Sequence, residues 1–144
     1  MNVNFKKLNE NAAAPFYGSS NSAGADLRAC VNKSIVIRPR EIVMIPTGLA
    51  CEIPTGYFGT VCSRSGLAAK NGIVVLNSPG IIDADYRGEI QLIMTNHSTV
   101  DFEVTHGMRL AQLIIVPFAA ANWIESNSLS QTTRNTGGIG STGV

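Results

Sequence analysis

Short runs rich in Val, Ile and Thr recur along the chain, separated by Gly, Pro and Asn. A spacing of about ten residues between such breaks is the pattern of an all-β sandwich or barrel. It predicts strands over 34–37, 41–45, 49–53, 57–62, 88–95, 99–104 and 109–116. Breaks fall at Arg38-Pro39, Pro46-Thr47-Gly48 and Pro54-Thr55-Gly56, where Pro fixes φ and Gly admits positive φ. Alternation as in Glu89-Ile90-Gln91-Leu92 implies sheets with one buried face and one wetter face. Helical periodicity is confined to one place. Residues 64–72 carry Leu, Ala and Lys after a Ser suited to capping, then Asn71-Gly72 as a stop, which predicts one short helix. From 126 to 144 the chain is poor in large apolar residues and rich in Ser, Thr, Asn and Gly, the composition of a flexible tail.

At 144 residues the chain has the size of one domain. Its 44% hydrophobic content, 15% charged content and 14 glycines exclude a disordered tail, a coiled coil and a collagen-like repeat. The balance of 11 Lys+Arg against 10 Asp+Glu leaves a net charge of +1. No footprint for gripping a nucleic-acid duplex or an anionic membrane follows from that, although a local anion site fits. No run approaches the roughly 18 apolar residues of a spanning helix, and Met1-Asn2-Val3-Asn4-Phe5-Lys6-Lys7 lacks the apolar core of a secretory signal. The expectation is a soluble, cytoplasmic protein. Cys30, Cys51 and Cys62 are odd in number and lack a Cys-x-x-Cys pair, which disfavours a disulfide framework or a structural zinc site and predicts buried small hydrophobes.

Arg64-Ser65-Gly66 offers a guanidinium, a hydroxyl and backbone N–H groups where the helix begins, suited to a phosphate or carboxylate; an ordinary Ser cap beside a surface Arg uses the same letters. Asp83-Ala84-Asp85-Tyr86-Arg87-Gly88 combines a candidate general base with an aromatic platform, or is a turn with Asp at its corners. Asp26 either approaches a metal or bonds its own turn. The Gly-rich end from Arg134 to Gly143 suits a nest of N–H donors around a polyphosphate and equally a plain linker. His97 and His106 have no partner at ligand or triad spacing, and no Ser or Cys nucleophile motif is present.

In order, these segments resemble the five motifs of the homotrimeric dUTPase (dUTP pyrophosphatase) family over nearly the whole chain. The matching stretches are Ala23-Gly24-Ala25-Asp26-Leu27-Arg28-Ala29, Ser63-Arg64-Ser65-Gly66-Leu67-Ala68, and Gly80-Ile81-Ile82-Asp83 through Tyr86-Arg87-Gly88-Glu89. They continue with Gly107-Met108-Arg109-Leu110-Ala111-Gln112-Leu113-Ile114 and the Gly-rich end from Arg134. The resemblance implies an all-β, jelly-roll-like domain over residues 1–125. It also implies a C-terminal arm, 126–144, closing over the active site of a neighbouring subunit in a homotrimer with shared sites.

The implied activity is Mg²⁺-dependent hydrolysis of dUTP to dUMP and pyrophosphate, a dUTP diphosphatase that keeps uracil out of DNA and supplies dUMP for dTTP synthesis. By the same resemblance Asp83 activates the water that attacks the α-phosphate. Arg64, Ser65, Gly66 and Gln112 contact phosphate oxygens, and Arg134, Gly140, Ser141 and Thr142 reach the substrate from the arm. Mg²⁺ rides mainly on the triphosphate, with Asp26 in its outer shell through water. The segment 71–86 resembles the family's uracil-reading β-hairpin: Asn77, Gly80 and Ile82 meet the base, and Tyr86 packs under the deoxyribose and excludes a 2′-hydroxyl. Neither nucleic acid nor membrane is an implied partner.

The chain departs from the family pattern at four places. Ile139 stands for the usual Phe, replacing stacking on uracil by weaker aliphatic cover. Ser63 stands for Pro, Met108 for an Asp expected to pair with Arg109, and Asn135 for Gly. Two other readings use the same features. One is the related dCTP deaminase, against which Asp83 and Tyr86 in register with the dUTPase motif speak. The other is a nucleotide-sensing module whose arm orders around dUTP without hydrolysing it.

Overall fold

A computed structural model describes residues 1–139 and Ser141. The strands are β1 (Asn4–Lys7), β2 (Phe16–Tyr17), β3 (Ala25–Arg28), β4 (Ile35–Ile37), β5 (Ile42–Pro46), β6 (Leu49–Glu52) and β7 (Tyr57–Ser63). After the helix α1 (Ser65–Asn71) come β8 (Ile73–Val75), β9 (Gly80–Ile82), β10 (Gln91–Asn96), β11 (Phe102–Val104) and β12 (Arg109–Pro117). They build a five-stranded sheet in the order β2-β3-β12-β7-β9, a three-stranded sheet β5-β10-β8, and the pairs β1-β6 and β4-β11. All pairings are antiparallel. This is the expected all-β, jelly-roll-like architecture with one short helix.

The core lies between the sheets. Leu27, Ile37, Ile45, Leu49, Ile73, Ile90, Leu92, Met94, Val104 and Leu110 are all but sealed from water, and each such side chain stabilises the fold by ~1.5–3 kcal/mol. Buried Asn96 ties strands together with every polar atom used. Its Nδ2 donates to Ile37 O and Val100 O, both at 2.8 Å, while its Oδ1 accepts from Ser98 N and Oγ. Thr47 Oγ1 likewise donates to Ile90 O at 2.6 Å.

Five short strands, β1, β2, β3, β8 and β9, fall outside the predicted runs, because two to four residues carry too little alternation to register as a pattern. The strand predicted from Gly88 begins at Gln91; before it, Glu89 Oε1 is held by Gly48 N at 2.7 Å and Ile90 N donates to Leu49 O. The 71–86 segment is not a paired hairpin. Its strands diverge, β8 onto β10 and β9 onto β7. The helix also starts differently: Arg64 is the N-cap, in extended conformation and with no side-chain cap bond, and Ser65 is already helical. Its end is as expected, with Gly72 left-handed at φ 66° and its N–H closing on Ala68 O and Leu67 O. Cys30 and Cys51 are buried, Cys62 is half-buried, and all are free thiols.

The β3–β12 ladder contains a bulge. Arg109 faces Arg28, Ala111 faces Leu27 and Gln112 faces Asp26, so Leu110 is an extra residue on β12. A regular strand would send residues three apart to opposite faces. The extra residue brings Arg109 and Gln112 to the same face, with Asp26 and Arg28 opposite them. Beyond Pro117 the described residues form no helix or strand. Phe118 sits edge-on against Phe58 at 6.1 Å, and Trp123, Ile124 and Leu129 are 92%, 81% and 89% exposed. No helix among the described residues is long and apolar enough to cross a membrane.

Candidate active site

The end of β7, the start of α1, β3 and β12 enclose a cleft of about 380 Å³. Arg64, Ser65, Gly66, Gln112, Asp26 and Arg109 all line it. β7 delivers Arg64 there because it pairs with β12 through Ala111↔Ser63 and Gln112↔Cys62. Gln112 Nε2 donates to Ser63 O at 3.0 Å, so its amide oxygen is left for other donors. Asp26 stands between two arginines: Arg64 Nε lies 3.0 Å from Oδ1 and Arg109 Nη1 lies 3.1 Å from Oδ2. Arg64 Nη1 also donates to Arg109 O at 2.9 Å. At Gly66 an added Cβ would meet no protein atom within 4 Å, so the backbone there borders open space. Two cations, a hydroxyl and accessible backbone in one cleft suit the oxygens of an anionic ligand.

Asp83 lies elsewhere in the chain. β9 pairs with β7 through Ile82↔Gly59, which sets Asp83 beside Phe58, whereas Arg64 follows the far end of β7. Six residues of extended chain separate those levels by about 20 Å. Asp83 and Tyr86 line a second cleft of about 450 Å³ with Met44, Ile81, Ile82 and Ile93. The turn carrying them is braced: Tyr86 N donates to Asp83 O, Tyr86 OH to Glu89 O at 2.9 Å, and Arg87 Nη1 to Ala84 O at 2.6 Å. Asp83 and Tyr86 are exposed, and Asn77 is exposed in the turn between β8 and β9. Ile82 is half-buried and Gly80 buried.

The candidate arm residues form a third group. Arg134 Nε donates to Gly137 O at 2.9 Å, and Ile139 is fully exposed. Gly140 and Thr142 lie outside the described residues. Ser141 N donates to Gly138 O. Among the described residues no group of three or more His, Cys, Asp or Glu side chains converges as a metal cage. Cys51 offers no thiolate nucleophile, because burial pushes its thiol pKa up against the opposing pull of the Arg87 guanidinium.

The dUTPase family model matches residues 10–143. The chain belongs to the dUTPase family. A deoxyuridine 5'-triphosphate nucleotidohydrolase of Hydrogenobaculum sp. (strain Y04AAS1) is 49% identical over 144 residues, covering 100% of this chain and 99% of the relative. That of Rickettsia felis is 49% identical over 143 residues, covering 99% and 97%. Among solved structures, the dUTPase of Staphylococcus bacteriophage 80alpha with dUpNHpp superimposes with a TM-score of 0.90 at 27% identity, over 99% of both chains. A dUTPase variant from phage phi11 of S. aureus, described with a structural Mg(II) ion, superimposes with a TM-score of 0.83 at 25% identity, over 91% of this chain and 100% of that one.

Three departures from the dUTPase family pattern have local explanations. Ser63 N donates to Ser78 Oγ at 3.2 Å and Ser63 Oγ accepts from Val75 N at 2.9 Å; a proline can make neither bond. Asn135 has φ 45°, a left-handed conformation that Asn, after Gly, adopts most readily. Met108 packs against the core and offers Arg109 no carboxylate; the ion pair of Arg109 is with Asp26.

Sequence reasoning did not single out what holds the dUTPase-motif side chains in place. A Cβ on Gly24 would stand 2.5 Å from Gln112 Oε1, one on Gly80 would stand 2.9 Å from Asn77 Nδ2, and one on Gly88 would overlap the Tyr86 hydroxyl. Each of these glycines makes room for one polar side chain. The signal was a glycine within a few residues of each motif's polar member, or across one strand pair from it.

Proposed function

We propose that the chain hydrolyses dUTP to dUMP and pyrophosphate, with phosphates held by the Arg64–Gln112 cleft and water activated by Asp83. The observation that carries this reading is the convergence of Arg64, Ser65, Gly66 and Gln112 on one cleft, in a chain of the dUTPase family. Asp83 accepts a proton from the water as its oxygen attacks the α-phosphorus. The bond from that phosphorus to the bridging oxygen breaks, and the electron pair leaves with pyrophosphate. Arg64 and Gln112 orient the phosphates, and the arm, through Arg134, Ser141 and Thr142, closes on the terminal one.

Among the described residues no His, Cys, Asp and Glu side chains form a cage, and Mg²⁺ fits as a cation that would be carried mainly by the triphosphate and would supply charge neutralisation there. Uracil is read by Asn77 and by the backbone near Gly80 and Ile82, while Tyr86, fixed by its bond to Glu89 O, closes the space a ribose 2′-hydroxyl needs. The role follows: dUTP is kept out of DNA and dUMP is supplied for dTTP synthesis.

The working form we propose is a homotrimer. A general base must come within about 3 Å of the proton it takes, yet Asp83 and Arg64 of one chain sit about 20 Å apart along β7. A single triphosphate meets both when they come from different copies. Exposed Leu129 within the arm, 126–144, and exposed Trp123 and Ile124 just before it support an arm that lies on a neighbour.

Pyrophosphate release measured with dUTP, dTTP, dCTP, dATP and dGTP in Mg²⁺ is expected to show turnover of dUTP alone. Tight dUTP binding without release would instead favour the sensing module, and deamination of dCTP the deaminase. Ile139→Phe restores an aromatic cover for uracil and is expected to lower the KM for dUTP roughly threefold, since stacking contributes ~0.5–1.5 kcal/mol beyond area. Steady-state kinetics check it, and an unchanged KM would place residue 139 away from the base.

A further inference from the structure

We infer that Asp26 is a positioning residue that fixes Arg64 and Arg109 side by side as a paired cationic wall of the phosphate cleft, and that Arg109 is thereby a phosphate-contacting residue. The inference rests on the phosphate reading of that cleft. Asp26 is only 12% exposed at its side chain, and each of its oxygens is taken by a different guanidinium. Arg64 is further tethered by its bond to Arg109 O. Arg109 shares the cleft face with Gln112 solely because of the Leu110 bulge. Its side chain remains 47% exposed while a single nitrogen is held, so the rest of the guanidinium is open to the cleft it lines. A guanidinium held at one edge presents its other N–H groups in fixed directions, which suits phosphate oxygens.

Coulomb's law gives this role a sign opposite to that of a simple charge. If Asp26 acted only as a nearby anion, neutralising it would strengthen binding of a polyanion. If it acted through metal-bound water, its loss would matter only with metal present. As a holder of two arginines, its loss weakens phosphate binding even without metal.

The test is calorimetric binding of inorganic tripolyphosphate to the full-length protein in EDTA, together with the Mg²⁺ dependence of dUTP turnover. Asp26→Asn is expected to weaken tripolyphosphate binding about tenfold, the equivalent of one charge-assisted hydrogen bond made poorly. It should raise the KM for dUTP more than it lowers kcat and leave the half-saturating Mg²⁺ concentration unchanged. Equal or tighter binding in EDTA, with a shifted Mg²⁺ dependence, would overturn the inference in favour of a metal role. Arg109→Gln provides the same reading should Asp26→Asn not fold: weaker tripolyphosphate binding is expected, and wild-type binding would overturn it. Arg64→Ala separates the two levels. If it too binds tripolyphosphate like the wild type, the phosphate reading of the cleft fails and the inference fails with it.

Discussion

Asp83→Asn is expected to bind dUTP nearly as the parent does and to turn it over 10²- to 10⁴-fold more slowly, the range a positioned general base contributes. The amide keeps the shape of the carboxylate but cannot accept the proton of the attacking water. The substitution should cost little stability, because the Asp83 side chain is exposed and the turn is braced by bonds that do not use its carboxylate, from Tyr86 N to Asp83 O and from Arg87 to Ala84 O. Pre-steady-state pyrophosphate release and equilibrium binding of a non-hydrolysed analogue, measured on one preparation, check both halves. Normal turnover in this variant would remove Asp83 from the mechanism and leave the braced turn as a structural element only.

Deleting residues 134–144 is expected to reduce kcat/KM for dUTP by on the order of 10²-fold or more, the scale of losing a closing element that orients the reacting groups. The fold should survive. The deleted residues contribute nothing to the buried core, which is drawn from residues 12–113, and their described hydrogen bonds stay within 132–141. Unfolding temperature and sedimentation should therefore match the full chain while activity collapses. Retained activity would make this segment a plain tail.

The long strands of the fold were legible because they alternate over enough residues to reveal a period. β7 and β12 were placed within one or two residues of their observed ends. The candidate site residues were legible as motifs, but their arrangement in space was not. Nothing in 71–86 announces that its strands leave for different sheets, since both runs look alike whichever neighbour they join. The arginine bridge was hidden because Asp26 and Arg109 are far apart in sequence, at 83 residues' separation. One trace of it was present: Arg109 and Gln112, both polar and three apart, flank Leu110 and Ala111, both buried, a spacing that strict alternation cannot satisfy.

That bulge lets β12 carry one residue more than β3 across this stretch and still keep Arg109 and Gln112 on one side. Removing one residue between Arg109 and Gln112 would regularise the ladder and leave the two, then two apart, on one side of the sheet; flattening the bulge at full length would instead turn Arg109 to the opposite side. A deletion of the bulged residue is thus milder for the cleft than a one-residue register slip that flattens the bulge. What the cleft requires of this segment is the common facing of Arg109 and Gln112, which a bulged strand and a regular strand one residue shorter both supply.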